Sequence, residues 1–260
     1  GDYRSAWRAY RSGEREGSRQ HLHLDHATQT HADAIIELNR TFKLREVRLK
    51  KHFIAVAGNI GVGKSTLTSL LSQRLGWEPY LEGVGDNPYL ADFYEDMCKW
   101  SFHSQIFFLA RRLKNHRQLW EHPNSVIQDR TVYEDAEIFA RNLYQQALMS
   151  KRDYTTYSEL YHAVMAILPP PSLVIYLKAS VPTLVERIQQ RGRTYERQIS
   201  EEYLEQLNVL YNNWLERFSL CPVLTVPADR LDFVANNGHL TLITEKILER
   251  LHGKEVVTFD

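Results

Sequence analysis

A glycine-rich segment at residues 58–65 constrains the fold of this chain more than any other feature. An apolar run at 53–57 precedes it, and helical spacing comes after it. In such a segment, backbone amides and the N-terminus of the next helix hold phosphate groups. We therefore predict a strand, a phosphate-binding loop and a helix. The segment fits G-x-x-x-x-G-K-[ST] at every fixed position and consists of Gly58, Asn59, Ile60, Gly61, Val62, Gly63, Lys64 and Ser65.

This motif assigns chemistry to two side chains. In loops of this type the lysine reaches the β- and γ-phosphates of a nucleotide, which predicts that role for Lys64. The hydroxyl next to it in the chain ligates Mg²⁺, which predicts Ser65 as a metal ligand. The motif identifies a phosphate donor site, with ATP as the expected donor, and leaves the acceptor open.

Strand-like and helix-like segments alternate along the rest of the chain. Short apolar runs occur at 53–57, 79–81, 125–128, 173–178 and 222–226, and helical spacing occurs at 66–75, 104–119, 132–149, 181–190 and 201–218. Together with the phosphate loop, this order predicts an α/β fold of the P-loop NTPase type, with three layers and a five-stranded parallel sheet between helices. Functional side chains should then gather beyond the carboxyl ends of the strands.

Composition limits the partners of the chain. Lys plus Arg equal Asp plus Glu at 32 each, which gives no global reason to expect a nucleic acid or an anionic membrane. The cysteines, Cys98 and Cys221, show no metal-ligand or redox spacing, so we predict reduced thiols in the cytoplasm. No apolar run approaches the length of a membrane span.

Residues 1–50 differ in composition from the rest of the chain. They are polar, rich in Arg, His and Gln, and contain one amphipathic stretch near residues 34–44. We predict a partly helical N-terminal extension at 1–50 and a catalytic domain at 51–260.

Acidic and basic residues follow two of the predicted strands. Glu82 comes just after the second run, where it is either a general base for an attacking hydroxyl or a solvated loop glutamate. Asp129 and Arg130 end the third run. In a fold with a phosphate loop, that position favours a carboxylate associated with Mg²⁺ and an arginine that holds phosphate oxygens over a surface ion pair.

Three arginines surround a glycine after the fourth strand. Arg187, Arg191 and Arg193 flank Gly192 at the end of a predicted helix. Cations are favourable at any helix C-terminus, but beside a phosphate loop we favour an arginine-rich lid that neutralises charge on the transferring group.

From about residue 51 to 251 the chain resembles the deoxynucleoside kinases of bacterial type, the group that includes deoxycytidine, deoxyguanosine and deoxyadenosine kinases. The resemblance depends on the order and spacing of residues 58–66, 81–84, 100–102 with Gln105, 129–131 and 187–193. Three positions depart from the common pattern: Gly83 replaces a proline, Asp129 and Thr131 replace Glu and Ser, and Tyr195 takes a lid position that is often acidic.

The resemblance implies roles at the reacting end of the site. Glu82 is similar to the general base for the 5′-hydroxyl, and Arg130 to the arginine that steadies that end of the sugar. Arg191 and Arg193 match the lid arginines. With the lysine of the phosphate loop, the implied catalytic residues are Glu82, Lys64, Arg130, Arg191 and Arg193.

The resemblance also implies the binding residues. Tyr94 and Glu196 correspond to side chains that hold the 3′-hydroxyl, and Phe139 to one that stacks on the base. The base edge would be read by Gln105, Arg112 and Asp135, of which Gln105 and Arg112 share a helix face. The full substrate set is Glu82, Val84, Tyr94, Gln105, Arg112, Arg130, Asp135, Phe139 and Glu196. The ATP set adds Thr66, Arg187, Arg191, Asp232 and Phe233 to residues 58–65, and the implied metal ligands are Ser65 and Asp129.

The resemblance implies ATP-dependent phosphorylation of a deoxynucleoside 5′-hydroxyl in nucleotide salvage. Arg112 together with Asp135 resembles the purine and deoxycytidine branches of the family more than the thymidine-preferring branch, and a purine deoxynucleoside is the favoured acceptor. A thymidylate-type monophosphate kinase and a non-catalytic structural subunit of the same fold remain alternatives. The resemblance also implies a homodimer, for which residues 104–119 and 132–149 could supply the interface.

Overall fold

The computed structural model describes residues 51–81, 87–193, 196 and 199–252. The predicted N-terminal extension lies outside these residues, so the division into an extension and a catalytic domain stays a prediction.

The described chain is built around one parallel sheet of five strands. They are β1 (Phe53–Gly58), β2 (Glu78–Tyr80), β3 (Val126–Asp129), β4 (Leu173–Lys178) and β5 (Val223–Pro227). Their order across the sheet is β2-β3-β1-β4-β5, with every pair parallel. The predicted α/β sheet is confirmed, and each strand begins and ends within two residues of its predicted bounds.

The sheet places the ends of β1 and β3 side by side. All residues of β1 are buried, as expected for a central strand covered on both faces. In register, Val56 lies opposite Asp129 on one side and Ile175 on the other. The phosphate loop leaves the end of β1, so it starts next to Asp129 and Arg130.

Helices cover the sheet and continue beyond its carboxyl edge. Their bounds are α1 (Lys64–Leu75), α2 (Leu90–Glu95), α3 (Met97–Glu121), α4 (Val132–Glu134), α5 (Arg141–Gln145), α6 (Lys151–Met165), α7 (Val181–Arg191), α8 (Glu201–Arg217) and α9 (Asn237–His252). A π-helical segment, Asp135–Ala140, connects α4 to α5. None of the helices in the described part of the chain is both long and apolar enough to cross a bilayer.

Two predicted helices differ from those observed. The helix expected at 104–119 is α3, which begins earlier because the Asp96 carboxylate accepts a hydrogen bond from the Lys99 amide at 3.1 Å and caps the N-terminus. The prediction of one continuous α-helix at 132–149 is wrong. The chain forms a π-helix at Asp135–Ala140, and the α-helix that follows, α5, ends at Gln145.

A large apolar core joins the π-helical segment, α6 and α8 to the sheet. Its members include Phe139, Tyr157, Leu207 and Tyr211, all buried. Phe139 and Asp135 belong to the same buried segment and face the cleft at the carboxyl end of the sheet. The core therefore holds both side chains in fixed positions.

Candidate active site

The phosphate loop has its lysine folded back onto its own backbone. Lys64 Nζ donates to the carbonyl oxygens of Gly58, at 2.8 Å, and Asn59, at 3.0 Å. The Asn59 side chain in turn donates to the Leu204 carbonyl oxygen of α8 at 2.9 Å. The loop is therefore tied to α8.

Two oxygen donors meet beside the loop. Ser65 Oγ donates to Asp129 Oδ2 at 2.5 Å, and Asp129 is 1% exposed. The other oxygen, Oδ1, is buried and has no hydrogen-bond partner among the described residues. A hydroxyl beside a carboxylate that has one oxygen without a hydrogen bond fits Mg²⁺, which takes oxygen ligands and keeps several waters. No group of three or more His, Cys, Asp or Glu side chains in the described part of the chain could hold a metal by itself.

Arg130 follows Asp129 in a left-handed backbone conformation, with φ 68°. Its amide donates to the Val56 carbonyl oxygen at 2.9 Å, and its guanidinium carbon lies 4.2 Å from the centre of the Phe139 ring. The stacked ring directs the guanidinium into the cleft, where charge would develop during phosphoryl transfer.

The far end of the cleft carries polar groups on buried side chains. Gln105 is 5% exposed, and its Oε1 has no partner among the described residues. Arg112 Nε donates to Asp135 Oδ2 at 2.9 Å. Gln105 and Arg112, which were expected to line one pocket, differ in how they relate to the cavity. Within the described residues, Gln105 and Asp135 line the cavity, whereas Arg112 stays out of its wall and reaches it through Asp135.

The three arginines predicted as a lid divide into two groups. Arg187 donates to the carbonyl oxygens of Val62 and Ala228, each at 2.9 Å, so it holds the phosphate loop against the segment that follows β5. Arg191 pairs with Glu196 Oε2 at 2.6 Å, and Arg193 lies 3.4 Å from Glu196 Oε1. Glu196, expected at the 3′-hydroxyl, thus pairs with both Arg191, the last residue of α7, and Arg193, two residues further on.

The segment after β5 lies against the phosphate loop. A Cβ placed on Gly63 would stand 3.3 Å from Cζ of Phe233. The Asp232 carboxylate accepts from the amides of Ala235, at 2.9 Å, and Val234, at 3.0 Å, and these bonds lower its pKa. This turn keeps Phe233 buried at the mouth of the loop.

One cavity of about 920 Å³ extends from the phosphate loop to Gln105 and Asp135. Of the predicted residues, it is lined by Ile60, Gly61, Val62, Gly63, Lys64, Ser65, Thr66, Tyr94, Gln105, Arg130, Asp135, Phe139, Arg187, Arg191, Arg193, Glu196, Asp232 and Phe233. Glu82 and Val84 lie outside the described residues.

Sequence reasoning missed several residues of the cavity wall. Ser104 and Phe108 flank Gln105 on α3, and Tyr203 lines the wall from α8. The helical spacing of Phe108, three residues after Gln105, could have revealed it. Burial raises the pKa of the Tyr203 hydroxyl to about 12, so this group stays protonated beside the cavity at neutral pH.

The parallel sheet, the phosphate loop after β1, the carboxylate at the end of β3 and the arginines at the end of α7 define a P-loop phosphoryl-transfer protein. The model of the deoxynucleoside kinase family matches residues 54–252. The chain belongs to the deoxynucleoside kinase family. Its predicted class of reaction, phosphorylation of a deoxynucleoside, is thereby confirmed.

Relatives and solved structures agree with this assignment. The chain is 41% identical over 208 residues to a deoxyadenosine/deoxycytidine kinase of Bacillus subtilis, covering 79% of this chain and 96% of the relative. It is 37% identical over 201 residues to a deoxyguanosine kinase of the same organism, covering 76% and 96%. A structure of deoxyadenosine kinase from M. mycoides with the products dCMP and dCDP has a TM-score of 0.68 at 37% identity, covering 75% of this chain and 98% of that one.

Proposed function

We propose that this kinase transfers the γ-phosphoryl group of ATP to the 5′-hydroxyl of deoxyadenosine, its preferred acceptor, with Mg²⁺ as the metal. The observation that carries the proposal is the single cavity with the phosphate loop and arginines at one end and Gln105 and Asp135 at the other. A nucleotide and a nucleoside placed in that cavity would meet near Arg130.

The donor end supplies positive charge for the transfer. Lys64 leaves two backbone carbonyl oxygens to reach the phosphates, and Arg191 and Arg193 face the same cavity. When bound, Mg²⁺ neutralises charge on the β- and γ-oxygens, and Ser65 and Asp129 are the residues that would hold it. In such transfers, rate acceleration comes mostly from positioning and electrostatics.

The acceptor end holds the sugar and frees its hydroxyl. We propose Glu82 as the general base and Arg130 as the cation that steadies the 5′ end. Tyr94 and Glu196 would hold the 3′-hydroxyl, with Phe139 against the base. Because the Glu196 carboxylate already pairs with Arg191 and Arg193, sugar binding and the lid arginines act on the same group.

Two acceptor groups at the base end support a base that carries an exocyclic amine, as adenine does. Gln105 Oε1 is buried without a described partner, and the Asp135 carboxylate lies on the cavity wall beside its Arg112 partner. An exocyclic amine fills such acceptors, and adenine and cytosine both carry an amine next to a ring nitrogen that can accept from the Gln105 amide. Thymine lacks the amine, so thymidine should be a poor acceptor.

The test is initial-rate phosphorylation with ATP and Mg²⁺ across deoxyadenosine, deoxyguanosine, deoxycytidine, thymidine and the matching monophosphates. We expect the highest kcat/KM for deoxyadenosine. Glu82→Gln should remove turnover, and Glu78→Gln, an exposed glutamate of β2, is the matched control that should keep it. Turnover of monophosphates alone would assign a monophosphate kinase, and no turnover at all would favour a structural subunit.

We also propose a cytoplasmic homodimer. Both cysteines, Cys98 and Cys221, are free thiols, which suits a reducing compartment. Trp120 at the end of α3 and Leu160 on α6 are exposed apolar side chains, which supports an interface that includes α3. Light scattering after gel filtration gives the mass, and a monomer at micromolar concentration would contradict the dimer.

A further inference from the structure

The proposed mechanism leaves one buried carboxylate without a role. Glu134 is fully buried and sits one residue before Asp135. Its Oε2 accepts from the Thr131 amide at 2.7 Å and the Thr131 hydroxyl at 3.1 Å. Its Oε1 accepts from the Gly58 amide at 3.1 Å and lies 2.7 Å from the Tyr211 hydroxyl. Burial of a charge is costly unless donors surround it, so this arrangement is a specific one.

The two oxygens of this carboxylate hold two different strand ends. Oε1 bonds Gly58, the last residue of β1 and the first glycine of the phosphate loop. Oε2 bonds Thr131, which follows Asp129 and Arg130 after β3. The bonds to Thr131 form a capping box at the start of α4. A capping box does not need the bond to Gly58, so the carboxylate does more than start a helix.

The Gly58 peptide is held from both sides. Its φ is 147°, and a Cβ there would come within 2.7 Å of the Leu177 carbonyl oxygen, so only glycine fits this close approach. Its amide donates to Glu134, and its carbonyl oxygen lies 2.8 Å from both the Tyr211 hydroxyl and Lys64 Nζ. Glycine is intrinsically flexible, so these contacts set the direction in which the loop leaves β1.

The same carboxylate stabilises a strained residue of the other strand end. A non-glycine residue at positive φ, such as Arg130, persists only where its neighbours fix it. The Arg130 amide is bonded to Val56 of β1, and the next amide, that of Thr131, is bonded to Glu134. Loss of the second bond would allow the Arg130 guanidinium to turn away from the cavity.

We infer that Glu134, together with Tyr211, is a positioning residue that fixes the phosphate loop relative to the Asp129–Arg130–Thr131 turn. The phosphate loop holds the donor phosphates, and the turn carries Arg130 at the acceptor end. One buried carboxylate therefore sets the distance between donor and acceptor. The inference rests on the proposed use of ATP as the donor.

Two variants test this role. In Glu134→Gln a single amide oxygen replaces two carboxylate oxygens, so the Gly58 and Thr131 amides can no longer both find an acceptor. Tyr211→Phe keeps the carboxylate and removes only the hydroxyl. The matched control is Tyr133→Phe, because the Tyr133 hydroxyl is buried without a described partner one residue from Glu134.

For Glu134→Gln we expect kcat/KM for ATP to fall by roughly tenfold or more, with kcat lowered and KM for ATP raised. Tyr211→Phe should raise KM for ATP by a smaller factor and leave KM for the nucleoside unchanged, since the hydroxyl contacts the Gly58 carbonyl oxygen and the Glu134 oxygen that holds Gly58, and not the oxygen that holds Thr131. Tyr133→Phe should match the wild type. If Glu134→Gln fails to fold, Tyr211→Phe tests the inference by itself, through a raised KM for ATP beside an unchanged KM for the nucleoside.

A purely structural role would lower the melting temperature of both variants and leave kcat and both KM values at their wild-type values at 25 °C, and that result would overturn the inference. Binding of a non-hydrolysable ATP analogue separates this failure from failure of the proposed function. Weaker binding by both variants supports the positioning role even if the wild type shows no turnover with deoxynucleosides. Equal binding by wild type and variants overturns it.

Discussion

Arg112 donates from Nε to the Asp135 carboxylate at 2.9 Å, and both side chains are nearly buried, at 6% and 5% exposed. Asp135→Asn removes the negative partner and leaves a buried cation. We expect a loss of about 3–5 kcal/mol in the free energy of unfolding, because a buried cation that loses its carboxylate partner is strongly unfavourable. Urea unfolding measures this loss.

A second variant separates stability from recognition in this pair. Arg112→Met combined with Asp135→Leu removes both charges, so most of the lost stability should return. If Asp135 is the acceptor for the base, as proposed above, the proposed selection for deoxyadenosine should not return. Arg117→Ala breaks an exposed pair with Glu121 on the same helix and should change neither property. Recovery of both properties in the double variant would argue against a role in base recognition.

The bond between Ser65 and Asp129 predicts a changed metal requirement. Asp129→Asn removes the negative charge that would face the ion, directly or through water. The Mg²⁺ concentration for half-maximal rate should rise by roughly 10–100-fold, as when a partner of a metal ligand is lost. Asp153→Asn, at a half-buried position in the first turn of α6, is the control and should leave the requirement unchanged. An unaltered requirement in Asp129→Asn would place the ion elsewhere.

The sheet and the phosphate loop were predictable because their signals are local. Five short apolar runs predict the five strands, and the spacing of the glycines with Lys64 and Ser65 predicts the loop. The π-helical segment was not predictable, since apolar spacing looks nearly the same for an α-helix and for one that widens by one residue per turn. That segment carries both Asp135 and Phe139, so their exact placement depends on a feature that the sequence pattern does not show.

Partners that are distant in sequence were also missed. Arg187 was expected in a lid, but its partners are the carbonyl oxygens of Val62 and Ala228, and backbone acceptors leave no mark on a sequence pattern. Only one of the two partners of Glu134 was predictable, because the T-x-x-E spacing from Thr131 is typical of a capping box. Its second partner, Gly58, is brought close only by the pairing of β1 with β3.

Gly61 is a position where a single methyl group should disable the donor site. Its φ is 82°, and a Cβ there would lie 2.7 Å from Ile188 Cγ1 and 3.0 Å from the Leu184 carbonyl oxygen. Gly61→Ala should cost about 1–2 kcal/mol in backbone strain alone and push the loop away from α7, weakening ATP binding. Titration with an ATP analogue and urea unfolding measure the two effects. Gly238→Ala is the control in α9, where a Cβ meets only the end of the flexible Asn236 side chain. Equal binding by both variants would show that the loop tolerates the methyl group.

Buried His116 predicts how stability depends on pH. Burial lowers its pKa below the ordinary value of 6.5, although the hydrogen bond with the Pro169 carbonyl oxygen opposes the shift. Between the lowered folded-state pKa and pH 6.5, the unfolded chain binds a proton at His116 that the folded chain does not bind. The stability that this group contributes is therefore fully present above pH 6.5 and is lost as the pH falls through the folded-state pKa. Urea unfolding at about pH 7.5 and about pH 5.5 should show a smaller loss in His116→Gln than in the wild type. His162→Gln removes an exposed histidine and should lose as much as the wild type. The same loss in all three proteins would mean that other groups set the acid limit.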